Sequence, residues 1–106
     1  MDRNGYNPSL LQKDHETCYF WPCPDCIGGK LDRHEIFGGP LRQKSKRYGL
    51  WVTICHLGCH LGPHGVHASR EKRERLQREA QLKAMEVYGW SIEDWRKEFY
   101  KSYLEE

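Results

Sequence analysis

LDRHEIFGGPLRQKSKRYGLWVTICHLGCHLGPHGVH, residues 31–67, holds most of the side chains in this chain that can bind a metal or move a proton. Residues 31–37 read as a first strand, with Ile36 and Phe37 ready for burial, and Gly38-Gly39-Pro40 breaks it. A basic loop from Arg42 to Arg47 leads into residues 50–54 (LWVTI), the most strand-like run by β-branched and aromatic content. The two strands predict a hairpin. Residues 55–61 then turn into a short helix that Gly62-Pro63 ends, and the loop beyond delivers His64 and His67. The expected class is α+β, a small ββα unit with C-terminal helices.

Working outward, the cysteines say what holds such a unit together. The chain has 106 residues, 38% of them hydrophobic, and a mean hydropathy of −0.89. One small domain with so little apolar core needs a further source of stability. Thirty per cent charged residues would suit partial disorder, but four Trp, six Tyr and three Phe are too many aromatics for a solvated tail. Five cysteines is an odd number, and no N-terminal apolar run could act as a signal peptide or membrane span. A reducing, cytoplasmic setting is expected, and there closely spaced cysteines read as zinc ligands. Cys23-Pro-Asp-Cys26 forms the usual two-residue knuckle, and Cys55 and Cys59 supply the second pair. Cys18 can substitute for Cys23 or Cys26, or stay a buried thiol. A Cys3His site using His60 or His64 competes with the four-cysteine set.

Three segments follow: an arm over 1–16, a zinc-stapled core over 17–69 and a helical extension over 70–106. The arm carries the turn signals Asn4-Gly5 and Asn7-Pro8 and reads as loosely docked. Ser69 is a candidate N-cap for a long helix whose Leu76, Ala80, Lys83 or Ala84, and Val87 fall on one face. Gly89 stops it, and Ser91-x-x-Asp94 opens a second helix running to about Lys101. Trp90, Trp95, Phe99 and Tyr103 read as packing residues. Net charge is only +2, yet no carboxylate occurs between Ile36 and Arg70, where Arg42, Lys44, Lys46 and Arg47 cluster. That face should attract a polyanion.

Folded as one unit, the hairpin and short helix would gather His34, Glu35, His60 and His64 or His67. Imidazoles and a carboxylate suit one divalent cation with open positions, and the matching chemistry is metal-assisted phosphodiester hydrolysis. No serine sits in a recognisable nucleophile elbow, and thiolates committed to zinc are poor nucleophiles. The bland alternatives are an exposed salt-bridging His34-Glu35 pair, a surface His15, and a His56 that faces solvent or caps a turn.

Arg33-His34-Glu35-Ile36-Phe37-Gly38-Gly39, Tyr48-Gly49-Leu50, Cys55-x3-Cys59-His60 and Gly65-Val66-His67 resemble small phage and prophage proteins of the HNH (His-Me finger) endonuclease superfamily. The likeness extends to Asn4-Gly5-Tyr6, Tyr88-Gly89-Trp90 and 101–104. The resemblance implies a ββα-metal, treble-clef-like fold and a DNA endonuclease in the cytoplasm of an infected or lysogenic bacterium. It implies structural zinc, a catalytic Mg2+, Mn2+ or Zn2+, and DNA with phage packaging or recombination proteins as partners. His60 and His67 would hold the catalytic ion, with His64 a substitute. One alignment puts His34 at the metal-binding position and Glu35 at the base position, and a one-residue shift makes His34 the base. The chemistry favours His34 as base, because imidazole titrates nearer neutrality, with Glu35 a ligand or orienting group. Arg42, Lys44, Lys46 and Arg47 would contact phosphates. The chain departs from the superfamily where a central Asn should orient the base; Tyr48 or a backbone carbonyl must take that role. The rival reading is a non-catalytic zinc module that binds DNA or a protein, and a third is a structural adaptor in a phage assembly.

Overall fold

β2 (Trp51–Cys55) is buried along its whole length, as its β-branched and aromatic content favours. In the computed structural model, which describes residues 2–22, 24, 26 and 29–104, β2 pairs antiparallel with β1 (Leu31–Glu35), His34 lying opposite Val52 and Glu35 opposite Trp51. The chain is α+β: this two-stranded sheet is combined with helices that share one hydrophobic cluster with it.

The connection between the strands differs from the expected basic loop. A 3-10 turn at Gly39–Leu41 hands over to α1 (Arg42–Arg47). Residues 42–47 contain no Gly, Pro or β-branched residue, so nothing in them resists a helix once it is docked. Ser45 does the docking: fully buried, its Oγ accepts from Phe37 N at 3.2 Å and donates to Leu50 O at 2.5 Å.

The N-terminal arm is not loosely docked either. Ser9 Oγ donates to Trp51 O, Gln12 Oε1 accepts from Thr53 N at 2.7 Å, and Tyr19 N donates to Thr53 O at 2.8 Å. These contacts satisfy the edge of β2 that β1 leaves open, an edge that would otherwise invite pairing with another chain. Tyr6 and His15 pack on Trp51, so the sheet is covered on the arm side while Val52 and Ile54 belong to the core.

α2 (Arg70–Tyr88) starts where Ser69 Oγ accepts from Lys72 N and ends at Gly89, whose φ of +67° an L side chain rarely adopts. Its buried face is Leu76, Ala80, Gln81 and Ala84. Val87, expected on that face, is 49% exposed; Gln81 goes inward instead because the tail satisfies its amide, Nε2 donating to Ser102 Oγ and Oε1 accepting from Tyr103 N. α3 (Ile92–Phe99) opens with the expected Ser91–Asp94 capping box and stops short of Lys101, Tyr100 turning to a φ of 72°. Trp95 stacks on Phe99 with centroids 4.2 Å apart, and Phe37 lies within 5.4 Å of both rings. Each fully buried ring contributes about 1.5–3 kcal/mol by area removed from water. The packing role read for Trp90, Trp95, Phe99 and Tyr103 is the observed one. Among the described residues no helix is long and apolar enough to cross a membrane.

Candidate metal centres

Among the described residues, three groups of ligand-bearing side chains lie close enough to share an ion, two of them through His60. The first is Cys18, Cys26, Cys55 and Cys59, whose sulfur atoms all lie within 4.8 Å of one another. Cys26 Sγ and Cys59 Sγ are 3.6 Å apart, far beyond the roughly 2.05 Å of a disulfide. Four thiolates around a zinc at ~2.3 Å would be spaced by about 3.8 Å, so the cysteines fit a tetrahedral metal such as zinc. Their placement follows from local structure. Residues His56–His60 form a wide π-helical turn capped by Cys55, whose sulfur accepts from Cys59 N at 3.1 Å. Such a turn puts Cys55 and Cys59 at either end of one loop of backbone with both sulfurs facing the same centre. Lys72 Nζ lies 3.8 Å from Cys59 Sγ.

Among the described residues, the fourth sulfur beside Cys26, Cys55 and Cys59 belongs to Cys18, the substitute that the sequence leaves open. Cys18 is carried there by the Tyr19–Thr53 backbone bond and by burial of Phe20 in the core. Cys23, expected to form the knuckle with Cys26, lies outside the described residues.

The second cluster is His34, His60 and His67, one ring nitrogen of each within 4.8 Å of the others. His34 comes from β1, His60 from the end of the π-helical turn, and His67 from the loop before α2. That loop is pinned by Val66, fully buried, whose N donates to Cys59 O at 2.7 Å. Gly65 makes the close approach possible, since a Cβ there would lie 2.7 Å from His60 O and 2.8 Å from Cys59 O. His60 Nε2 and His67 Nε2 are 3.1 Å apart, within a few tenths of the roughly 3.3 Å edge of a tetrahedral site with ~2.0–2.1 Å metal–nitrogen bonds. Burial, and after it the neighbouring His60 and His67, push His34 from 6.5 down to about 4. Burial likewise lowers His67. Both shifts favour the neutral imidazole, the form that offers a lone pair.

Behind His60 stands Asp32, which the sequence reading did not single out. Its Oδ2 is 2.8 Å from His60 Nδ1 and 2.5 Å from His56 Nδ1. Burial raises the Asp32 carboxyl, but the bonds from His56 and His60 outweigh it and hold the group below its usual range. His56 therefore neither faces solvent unpaired nor caps the turn.

Other expected site residues fall elsewhere. Glu35 lines the same cleft as the histidines, but among the described residues it is not in the ligand cluster; its carboxylate receives Tyr6 Oη at 2.5 Å and Arg42 Nε at 2.7 Å. Alternation along β1 explains this, because side chains two apart share a face and those one apart do not. His64 is exposed, beside Ser69 and Lys72, and does not join His60 and His67. Tyr48, considered for orienting the base, donates to Glu98 Oε1 instead. Of the four basic residues, Arg42 is at the cleft rim and Arg47 is exposed. Lys44 Nζ donates to Glu98 O, and Lys46 Nζ to Asn4 O. Arg33 joins Arg42 at the rim. Strand alternation was the signal that would have put Asp32, two residues before His34, on the same face.

No protein-family model matches the chain, and neither do the curated proteins or the solved structures with which it was compared.

Proposed function

We propose that the chain is a zinc-stapled endonuclease with a ββα-metal site of the HNH (His-Me finger) type, acting on DNA phosphodiester bonds. The observation that carries this reading is the convergence of His34, His60 and His67 in an open cleft rimmed by Arg33 and Arg42. The antiparallel β1–β2 pair followed by the π-helical turn supports the ββα comparison. Cys18, Cys26, Cys55 and Cys59 would hold structural zinc. His60 and His67 would hold a divalent cation, which when bound neutralises charge on the scissile phosphate and makes a water more acidic.

The chain's own groups then have separate tasks. His34, held neutral by burial and facing that pair, accepts the proton of the attacking water through a ring nitrogen. Its position carries this role, since burial removes the near-neutral titration that favoured it over Glu35. Arg42, 60% exposed on its side chain and tethered to Glu35, meets the phosphate at the rim, and Arg33 does so beside it. Glu35 keeps Arg42 aimed into the cleft, a positioning role in place of metal ligation.

Supercoiled plasmid with Mg2+ or Mn2+ tests this. The wild type is expected to nick it, and His34→Ala to be slower by about 100-fold or more, as for loss of a general base. Absence of nicking by the wild type with either cation would overturn the reading. Salt-dependent DNA binding without nicking would then support a non-catalytic zinc module, the alternative favoured by the engagement of Lys44 and Lys46 within the protein.

A further inference from the structure

We propose that Asp32 is the positioning residue of the histidine site, fixing which nitrogen of His60 carries the proton, and that His56 holds Asp32 in place to do so. An ionised carboxylate only accepts, so each imidazole nitrogen bonded to Asp32 Oδ2 must carry its hydrogen. His60 is thereby protonated on Nδ1, and in a neutral ring Nε2 is left as a lone pair. That is the atom lying 3.1 Å from His67 Nε2. The proton on one side of the ring thus dictates a bare nitrogen on the side that faces the cleft.

His56 completes the arrangement. It precedes His60 by four residues, at the other end of the same π-helical turn, and its Nδ1 reaches the same carboxylate oxygen. Asp32 is thus gripped from both ends of the turn while its own backbone is set in β1. The carboxylate has 16% of its side chain exposed, so solvent competes little for it.

The same three residues could instead be taken for a cation site of their own, but the distances speak against that. Separations of 2.5 and 2.8 Å are hydrogen-bond lengths, whereas ligands sharing a zinc ion are spaced by about 3.3 Å. Carboxylate–imidazole pairs behind metal sites set ring orientation and raise ligand basicity, and losing one weakens metal binding by roughly 10–100-fold.

The tautomer claim is independent of the proposed function; the claim about cation affinity rests on it. Nitrogen NMR of the histidine side chains in the zinc-loaded chain is expected to show His56 and His60 as the Nδ1–H tautomers. In Asp32→Asn, His60 should populate the Nε2–H form. Titration with Co2+ should give a thiolate-bound ion of unchanged affinity and a second ion bound roughly 10–100-fold more weakly in Asp32→Asn than in the wild type, with His56→Ala between them. Finding wild-type His60 as Nε2–H, which needs no variant, overturns the inference alone. So does a second-ion affinity that Asp32→Asn leaves unchanged. A wild type that takes only the thiolate-bound ion overturns the histidine metal site itself, and the affinity claim falls with it.

Discussion

Gly49 and Gly89 have nearly the same left-handed backbone, φ +73° and +67°, in different surroundings. A Cβ on Gly49 would come within 2.3 Å of Pro8 O, backbone of the docked arm, whereas one on Gly89 meets nothing within 4 Å. Gly89→Ala should therefore cost only the backbone strain, about 1 kcal/mol in a urea melt, and Gly49→Ala more, about 2–3 kcal/mol, with loss of arm protection in hydrogen exchange. Tyr19 provides a pH-dependent counterpart. Burial, reinforced by its hydrogen bond to Glu79, raises the phenol from 10.0 to about 12. The folded state thus favours the neutral phenol; this contribution is complete below pH 10 and is lost as pH rises through 12. Tyr19→Phe should accordingly lose less stability than the wild type between pH 10 and 12. At this scale much of the site was legible as residue types, since His34, His60 and His67 were all singled out. Asp32 carries no motif of its own; what links it to His34 is that a strand makes neighbours of residues two apart, and what links it to His60 is the docking of the turn.

Among the elements, α2 and α3 were readable because their ends are signalled locally: Ser69, Gly89 and the Ser91–Asp94 box each satisfy backbone groups within a few residues. Ser91→Ala should cost about 1 kcal/mol. Trp95→Ala should cost far more, about 3–5 kcal/mol, because Trp95 is fully buried against Phe37, Phe99 and Tyr103. Thermal melts of the two variants should separate cap from core. α1 was not readable. Its six residues, RQKSKR, contain no apolar position to reveal a periodicity. What holds them helical is Ser45, bonded to Phe37 N and Leu50 O on the segments flanking the two strands, and such contacts leave no local mark.

For the whole molecule, one hydrophobic cluster reaches from Cys18 to Phe99, and four of its neighbouring sulfurs could be clamped by one ion. A structural zinc would supply an apparent 10–16 kcal/mol, as large as the entire stability of a small domain. Chelation is expected to abolish cooperative melting, and Cys18→Ser to lower zinc per chain and the melting temperature together; a Cys18→Ser protein that keeps its zinc and its melting point would place the ligand elsewhere. The sequence by itself determined the α+β class, both strands, the caps of the two long helices, and the small set of cysteines and histidines from which any metal site must be drawn. Only the tertiary structure decided which of them meet. Cys18 comes to Cys55, Asp32 to His60, and the arm to the edge of β2. Each of these contacts joins segments far apart along the chain. Short spacings and capping patterns act over one or two turns of backbone, whereas convergence across such separations is set by how the segments dock on a shared core.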